Sequence, residues 1–191
     1  MKVVAFNGSA RKGGNTAHLI QRVFTALDKQ GIATEMVELG GKALHGCTAC
    51  SQCFARKDRR CAVTDDNIND HIAKMLAADA IILASPTYFA DITPELKALI
   101  DRAGMVARAN KDMFQRKVGA AVVVQRRGGA IHAFDSINHF FFIGQMVVPG
   151  SNYWNFGVGR QIGEVDSDEE GMETMQRLGE NMAWLLKKLH A

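Results

Sequence analysis

Two groups of residues in this chain have types and spacings that can do chemistry. The first is the run Asn7-Gly-Ser-Ala-Arg-Lys-Gly-Gly-Asn-Thr16, which directly follows an apolar strand pattern (Val3, Val4, Ala5, Phe6) and directly precedes a helical one. A strand that enters such a loop and then a helix N-terminus makes an anion site. Backbone N–H groups and small hydroxyls converge there, and the helix dipole adds positive potential. The second group is Cys47-x2-Cys50-x2-Cys53, followed by Cys61. Thiolates at this spacing in one loop can ligate one metal centre, as a zinc site or an iron–sulfur cluster. A folded loop of reduced, metal-free thiols is the alternative.

The Ser9 loop is neither Gly-x-Gly-x-x-Gly, the dinucleotide fingerprint, nor Gly-x-x-x-x-Gly-Lys-Ser/Thr, the triphosphate loop. Hydroxyls and one Arg, without a Mg²⁺-directed Lys-Ser pair, suit a terminal phosphomonoester dianion. Tyr88 and Phe89 follow a strand pattern and can flank a flat heterocycle, and Gly128-Gly129 lets backbone approach its other edge. FMN combines a phosphate monoester with a large planar ring.

These residues need a scaffold that brings them together. Val3 to Phe6 reads as a strand, then Ala17, Leu19, Ile20, Val23, Phe24 and Leu27 recur at helical spacing until Gly31. Thr34 to Leu39 gives a second strand. A Gly- and Cys-rich loop runs to about Val63, and Asp65-Asp66 opens a helix through Ile68, Ile72 and Met75. Ala80 to Ala84 is a third strand, and Thr93-Pro94 caps and starts the next helix. Val118 to Val124, Ile131 to Ile143, Met146 to Val148 and Glu169 to Leu189 read as strand, helix, fifth strand and long helix. Apolar strands alternating with helices predict an α/β fold, a doubly wound five-stranded parallel sheet covered on both faces. One domain over residues 1–191, with a Cys-rich insertion at about 40–63, is expected. In such sheets ligands sit beyond the C-terminal strand ends, so the loops after strands one, three and four should converge.

Composition narrows the classes. The chain has 191 residues, 47% of them hydrophobic, enough for a sizeable core. A net charge of +3, spread along the chain, argues against nucleic acid as a partner. The absence of a long apolar run argues against a membrane span, and Met1-Lys2 opens straight into a strand, so a cytoplasmic location is expected. Three of the four cysteines fall within one short stretch, unlike a secreted disulfide framework.

Together, Gly-Ser-Ala-Arg-Lys-Gly-Gly-Asn-Thr, Ser-Pro-Thr-Tyr-Phe, Leu-Lys-Ala-Leu-Ile-Asp-Arg and the Arg-Arg-Gly-Gly turn resemble the NADPH-dependent FMN reductase superfamily, which has a flavodoxin-like fold. The resemblance implies that Ser9, Arg11, Asn15 and Thr16 form the FMN phosphate site. It implies Pro86, Thr87, Tyr88 and Phe89 along the isoalloxazine, and Arg126, Gly128 and Gly129 at its pyrimidine edge. The cysteine spacing resembles the iron–sulfur flavoprotein branch, in which the loop binds a [4Fe–4S] cluster; Cys47, Cys50, Cys53 and Cys61 match all four positions. The fewness of apolar residues between Gly40 and Ala62 fits a loop ordered by metal. Arg56, Lys57, Arg59 and Arg60 either offset cluster charge, guide an acidic electron carrier such as ferredoxin, or form a solvated loop.

The implied activity is that of an FMN-dependent NAD(P)H oxidoreductase passing electrons to a quinone, another flavin or oxygen, with no residue required as a general acid. A flavodoxin-like electron carrier and a redox-sensing binding protein are the alternatives. A homodimer or homotetramer is implied by the same resemblance. The six histidines show no metal spacing; His132 and His139 read as structural. Phe140-Phe141-Phe142 cannot all face one core, so one or two are expected at a subunit contact. No Ser-His-Asp or Cys-His pair supports hydrolysis.

Overall fold

Strand β1 (Lys2–Asn7) divides its side chains between two apolar layers, Val3 and Ala5 on one face and Val4 and Phe6 on the other. That two-residue period forces helices onto both faces of the sheet. The computed structural model describes Met1–Ala191. Its parallel strands β1, β2 (Ala33–Glu38), β3 (Ala80–Pro86), β4 (Val118–Gln125) and β5 (Phe156–Val158) lie in the order β2-β1-β3-β4-β5. Helices α1 (Asn15–Asp28) and α6 (Glu169–Leu189) cover the Val3 face. Helices α3 (Ile68–Ala77), α4 (Pro94–Ala109) and α5 (Ala130–Ile143) cover the Phe6 face. A single helical turn, α2 (Gln52–Arg56), lies inside the cysteine loop and packs on α4. No helix is long and apolar enough to cross a membrane.

Register sets the site. Asn7 pairs with Ala84, and Ala84 pairs with Val122, so the loops leaving β1, β3 and β4 emerge side by side. The convergence expected from the sequence is realised.

Four local expectations are corrected. The fifth strand is Phe156–Val158, not Met146 to Val148, where only Val147 makes a single bridge to Val118. Pro149 lacks the N–H a ladder needs, so the chain leaves the sheet edge after that bridge. It returns where Asn155 donates its side-chain amide to Ala121 O and accepts Val123 N–H on its own carbonyl. Helix α3 starts at Ile68, later than Asp65-Asp66, because Asp66 is turned inward to pair with Arg102 and accepts the Ile68 N–H. Thr93 does stand before Pro94 at the start of α4, but its buried hydroxyl makes no capping bond; Ser85 Oγ accepts the Thr93 N–H instead. Finally, His132 and His139 are solvent-exposed rather than structural, whereas Phe140 and Phe141 are both buried and only Phe142 points outward.

The buried histidine is His71 on α3. It is 4% exposed, sits edge-on to Phe6, and neither ring nitrogen has a hydrogen-bond partner. Burial, reinforced by nearby Lys42 and Lys74, pushes its pKa below the ordinary 6.5. The unfolded imidazole therefore binds a proton that the folded one refuses, so stability is full above that value and falls as pH drops from it through the folded pKa. Urea midpoints should fall between about pH 7.5 and about pH 5.5, and His71→Leu should shrink that fall. An identical fall in the variant would remove His71 as its source.

Candidate functional site

At the end of β1, Asn7 is fully buried and uses both ends of its side-chain amide. Its Oδ1 accepts the Ser9 N–H at 3.0 Å, and its Nδ2 donates to Glu38 at 2.8 Å. Burial raises the Glu38 carboxyl pKa, against the pull of the Asn7 bond. Ser9 Oγ then accepts the Arg11 N–H at 3.2 Å, which curls the loop. Behind it, a Cβ on Gly40 would lie 2.0 Å from Ser9 O, so only glycine lets the chain leaving β2 pass there. The residue before α1 is Gly14, which has no side chain to cap the helix. In its first turn Ala17 N–H bonds back to Gly14 O, whereas the N–H groups of Asn15 and Thr16 have no backbone acceptor, and both residues line the loop's concavity.

The concavity is a pocket of about 370 Å³ lined by Ser9, Arg11, Asn15, Thr16, Pro86, Thr87, Tyr88, Val124, Arg126, Gly159 and Arg160. Three guanidinium side chains and no carboxylate line it, so its field favours an anion. Eight of the sequence-derived positions meet here: Ser9, Arg11, Asn15, Thr16, Pro86, Thr87, Tyr88 and Arg126. Asn15 contributes differently from expectation. Its side chain is committed to the loop after β5, donating to Gln161 O and accepting Gly163 N–H, both at 2.8 Å, which leaves its backbone N–H for the pocket.

Phe89, Gly128 and Gly129 do not line the pocket. Phe89 is fully exposed at the tip of a tight turn in which Tyr88 and Asp91 exchange backbone hydrogen bonds. Gly129, at φ +91°, packs its Cα against Thr87 and Ala90, where a Cβ would come within 3.0 Å of Thr87 Cγ2. Gly128 stands in open space. The residues missed from the sequence are Gly159 and Arg160. They follow β5, and a strand placed ten residues early hid their loop; Arg160 O accepts from Arg11 at 2.7 Å.

The cysteine loop is held by polar side chains from the helices beneath it. Asn69 accepts the Cys61 N–H at 2.7 Å and donates to the carbonyls of Cys61 and Val63. Asp66 accepts the His45 N–H. Arg102 is completely buried: its Nε donates to Cys61 Sγ at 3.2 Å, Nη1 to His45 O at 3.2 Å and to Asp66, and Nη2 to Val63 O at 2.7 Å. Burial alone would raise the Asp66 carboxyl, but Arg102 and the His45 and Ile68 N–H groups hold it below the ordinary carboxylate range. These bonds tie both ends of the loop to the fold beneath it.

Cys53 and Cys61 are buried and Cys47 and Cys50 exposed, with no disulfide among them. Burial raises the Cys53 thiol pKa, whereas the Gln52 backbone and the Thr48 hydroxyl lower that of Cys50. All four cysteines line one small cavity together with Arg102, Met105 and Val106. No three of the chain's His, Cys, Asp or Glu side chains converge tightly enough for a single metal ion. Four thiols around one small cavity are the donor set that a four-cysteine metal centre takes. Arg56 pairs with Asp58, while Lys57, Arg59 and Arg60 are exposed and make no ion pair. Helix α4 links the two sites. Leu96 backs Gly8 of the first loop, and Arg102 to Val106 line the cysteine cavity, a separation of roughly 9–15 Å along the helix axis.

Comparison with known proteins gives consistent matches. The sequence pattern of the NADPH-dependent FMN reductase family matches residues 1–161. The chain is 37% identical to an iron–sulfur flavoprotein of Methanocaldococcus jannaschii, covering 98% of each chain. It is 33% identical to an iron–sulfur flavoprotein of Methanosarcina thermophila, covering 98% of this chain and 96% of that one. Among solved structures it superposes on a flavodoxin from the domain Archaea with a TM-score of 0.64 and 16% identity, covering 98% of this chain and 99% of that one, which shows the fold.

The Phe89 turn carries a local test. Phe89 and Ala90 have φ of +48° and +66°, the left-handed region that costs a non-glycine residue about 1 kcal/mol or more. Ala90→Gly should therefore raise unfolding free energy by about 1 kcal/mol in urea. A neutral or destabilising result would show that the turn is not strained.

Proposed function

The chain belongs to the NADPH-dependent FMN reductase family, and from that membership and the pocket's geometry we propose that it is an FMN-dependent oxidoreductase using NAD(P)H as donor and carrying a [4Fe–4S] cluster on Cys47, Cys50, Cys53 and Cys61. The observation that carries the proposal is the pocket beyond β1, β3 and β4, with an uncapped helix N-terminus, three guanidinium groups and no carboxylate. That is the environment a phosphomonoester dianion needs.

In this reading Ser9, Arg11, Thr16 and the first-turn N–H groups of α1 hold the phosphate. Pro86, Thr87 and Tyr88 flank the ring, and Thr87 is fixed for that role by two bonds to Val124 O, at 2.8 Å from its N–H and 3.0 Å from its hydroxyl. Arg126 stands near the ring edge that gains negative charge on reduction and offsets it. Bound flavin supplies the hydride and single-electron chemistry, and the cluster supplies one-electron exchange. The protein's part is binding, orientation and charge. Quinone, another flavin or oxygen is the proposed acceptor, and the exposed Lys57, Arg59 and Arg60 suit an acidic electron carrier such as ferredoxin at the cysteine loop. Exposed Met105 on α4 and Phe142 and Ile143 on α5 support a homodimer or homotetramer.

Two measurements test the flavin part. FMN should bind far tighter than riboflavin, and Arg11→Met should weaken FMN roughly tenfold to a hundredfold while leaving riboflavin unchanged. Equal loss for both flavins would place the Arg11 contribution elsewhere. Arg126→Ala should lower the flavin's reduction potential in an equilibrium redox titration, and an unchanged potential would remove Arg126 from that role. Steady-state NAD(P)H oxidation with an artificial acceptor separates an enzyme from a pure electron carrier, which would show almost none.

A further inference from the structure

Arg102 is the largest fully buried side chain of the protein, and nothing in the flavin pocket uses it. A guanidinium is never buried without partners, since it cannot shed its charge. Here every nitrogen is committed. Nη1 and Nη2 bind the carbonyls of His45 and Val63, which flank the cysteine run on either side, and Asp66, itself 1% exposed, supplies the counter-charge. The Nε–H points at Cys61 Sγ.

That arrangement is asymmetric. Cys61 receives a hydrogen bond from a charged, buried donor, whereas the sulfur of Cys47 receives only the Ala49 backbone N–H, at 3.4 Å on an exposed stretch. A charge-assisted bond in a buried site is stronger than a neutral one at the surface. A hydrogen bond onto a ligating sulfur withdraws electron density, and adding an electron to the metal centre then costs less.

We propose that Arg102 is a positioning and tuning residue for the cysteine site: it clamps both ends of the loop so that the four thiols share one cavity, and through Nε–H···Sγ of Cys61 it raises the reduction potential of the cluster held there. This rests on the reading of the four cysteines as a cluster site. Lysine cannot substitute for it. An ammonium keeps the charge but lacks the planar fork that reaches two carbonyls, a carboxylate and a sulfur at once.

The test uses the full chain, loaded anaerobically with iron and sulfide, and an equilibrium titration with dithionite as one-electron donor, followed by electron paramagnetic resonance. At the potential where half the wild-type clusters are reduced, Arg102→Lys should have a reduced-to-oxidised ratio about tenfold lower, the size expected for losing one hydrogen bond to a charged group. Asp66→Asn keeps the guanidinium but removes its counter-charge, so its ratio should move the opposite way. Opposite shifts are a signature that a merely structural role would not give. A loaded Arg102→Lys with the wild-type ratio overturns the tuning role alone. If that variant takes up no cluster, Asp66→Asn decides: a ratio equal to or below the wild type overturns it. Wild-type protein that takes up no iron and sulfide overturns the cluster reading and the proposal together.

Discussion

Helix α1 begins without a cap, and the flavin-side architecture follows from that. Gly14 offers no side chain to the first-turn N–H groups, while the serine nearest them, Ser9, spends its hydroxyl oxygen on Arg11 N–H. A helix end in this state favours a negative partner. Arg11, Arg126 and Arg160 deepen the same demand. The surrounding framework is arranged to keep the demand unmet by the protein itself: Asn7 fixes the loop's curl, Gly40 lets the neighbouring chain pass behind it, and the Asn15 side chain is tied to the loop after β5.

Helix α4 gives the molecule a second organising axis. Its first turn buttresses the phosphate-side loop and its middle turns form one wall of the cysteine cavity, so a rigid element holds the two candidate redox sites at a fixed separation. The cysteine loop has few apolar residues. Asn69, Asp66 and Arg102 replace the missing core with directed hydrogen bonds. Buried polar networks of this kind fix one conformation when their members are satisfied, and each of the three Arg102 nitrogens has a partner here.

Much of this was legible in the sequence for a definable reason. Strand and helix periods are local, so the five-stranded parallel sheet could be read from pattern and spacing, and eight of the eleven residues that line the pocket were named from the loops between these elements and the family resemblance. Two of the failures were non-local. A short apolar run at Met146 to Val148 looks like a strand, but Pro149 and the Asn155 amide move the pairing downstream and bring Arg160 into the pocket. Asp66 reads as a helix-start acid until Arg102, distant in sequence, claims it. Phe89 reads as a ring wall, but its backbone turns it to solvent. At β5 and at Asp66 a tertiary partner overrode a sound local signal, whereas the turn that exposes Phe89 is itself local.

The pocket's central claim, that it holds a phosphomonoester as a dianion, can be read from phosphorus itself. In ³¹P NMR of FMN with excess protein, the expected signal is displaced from free FMN. It should not titrate across about pH 5–8, where a free monoester loses its second proton near a pKa of about 6. A phosphorus resonance that keeps the free position and titrates normally would contradict the claim.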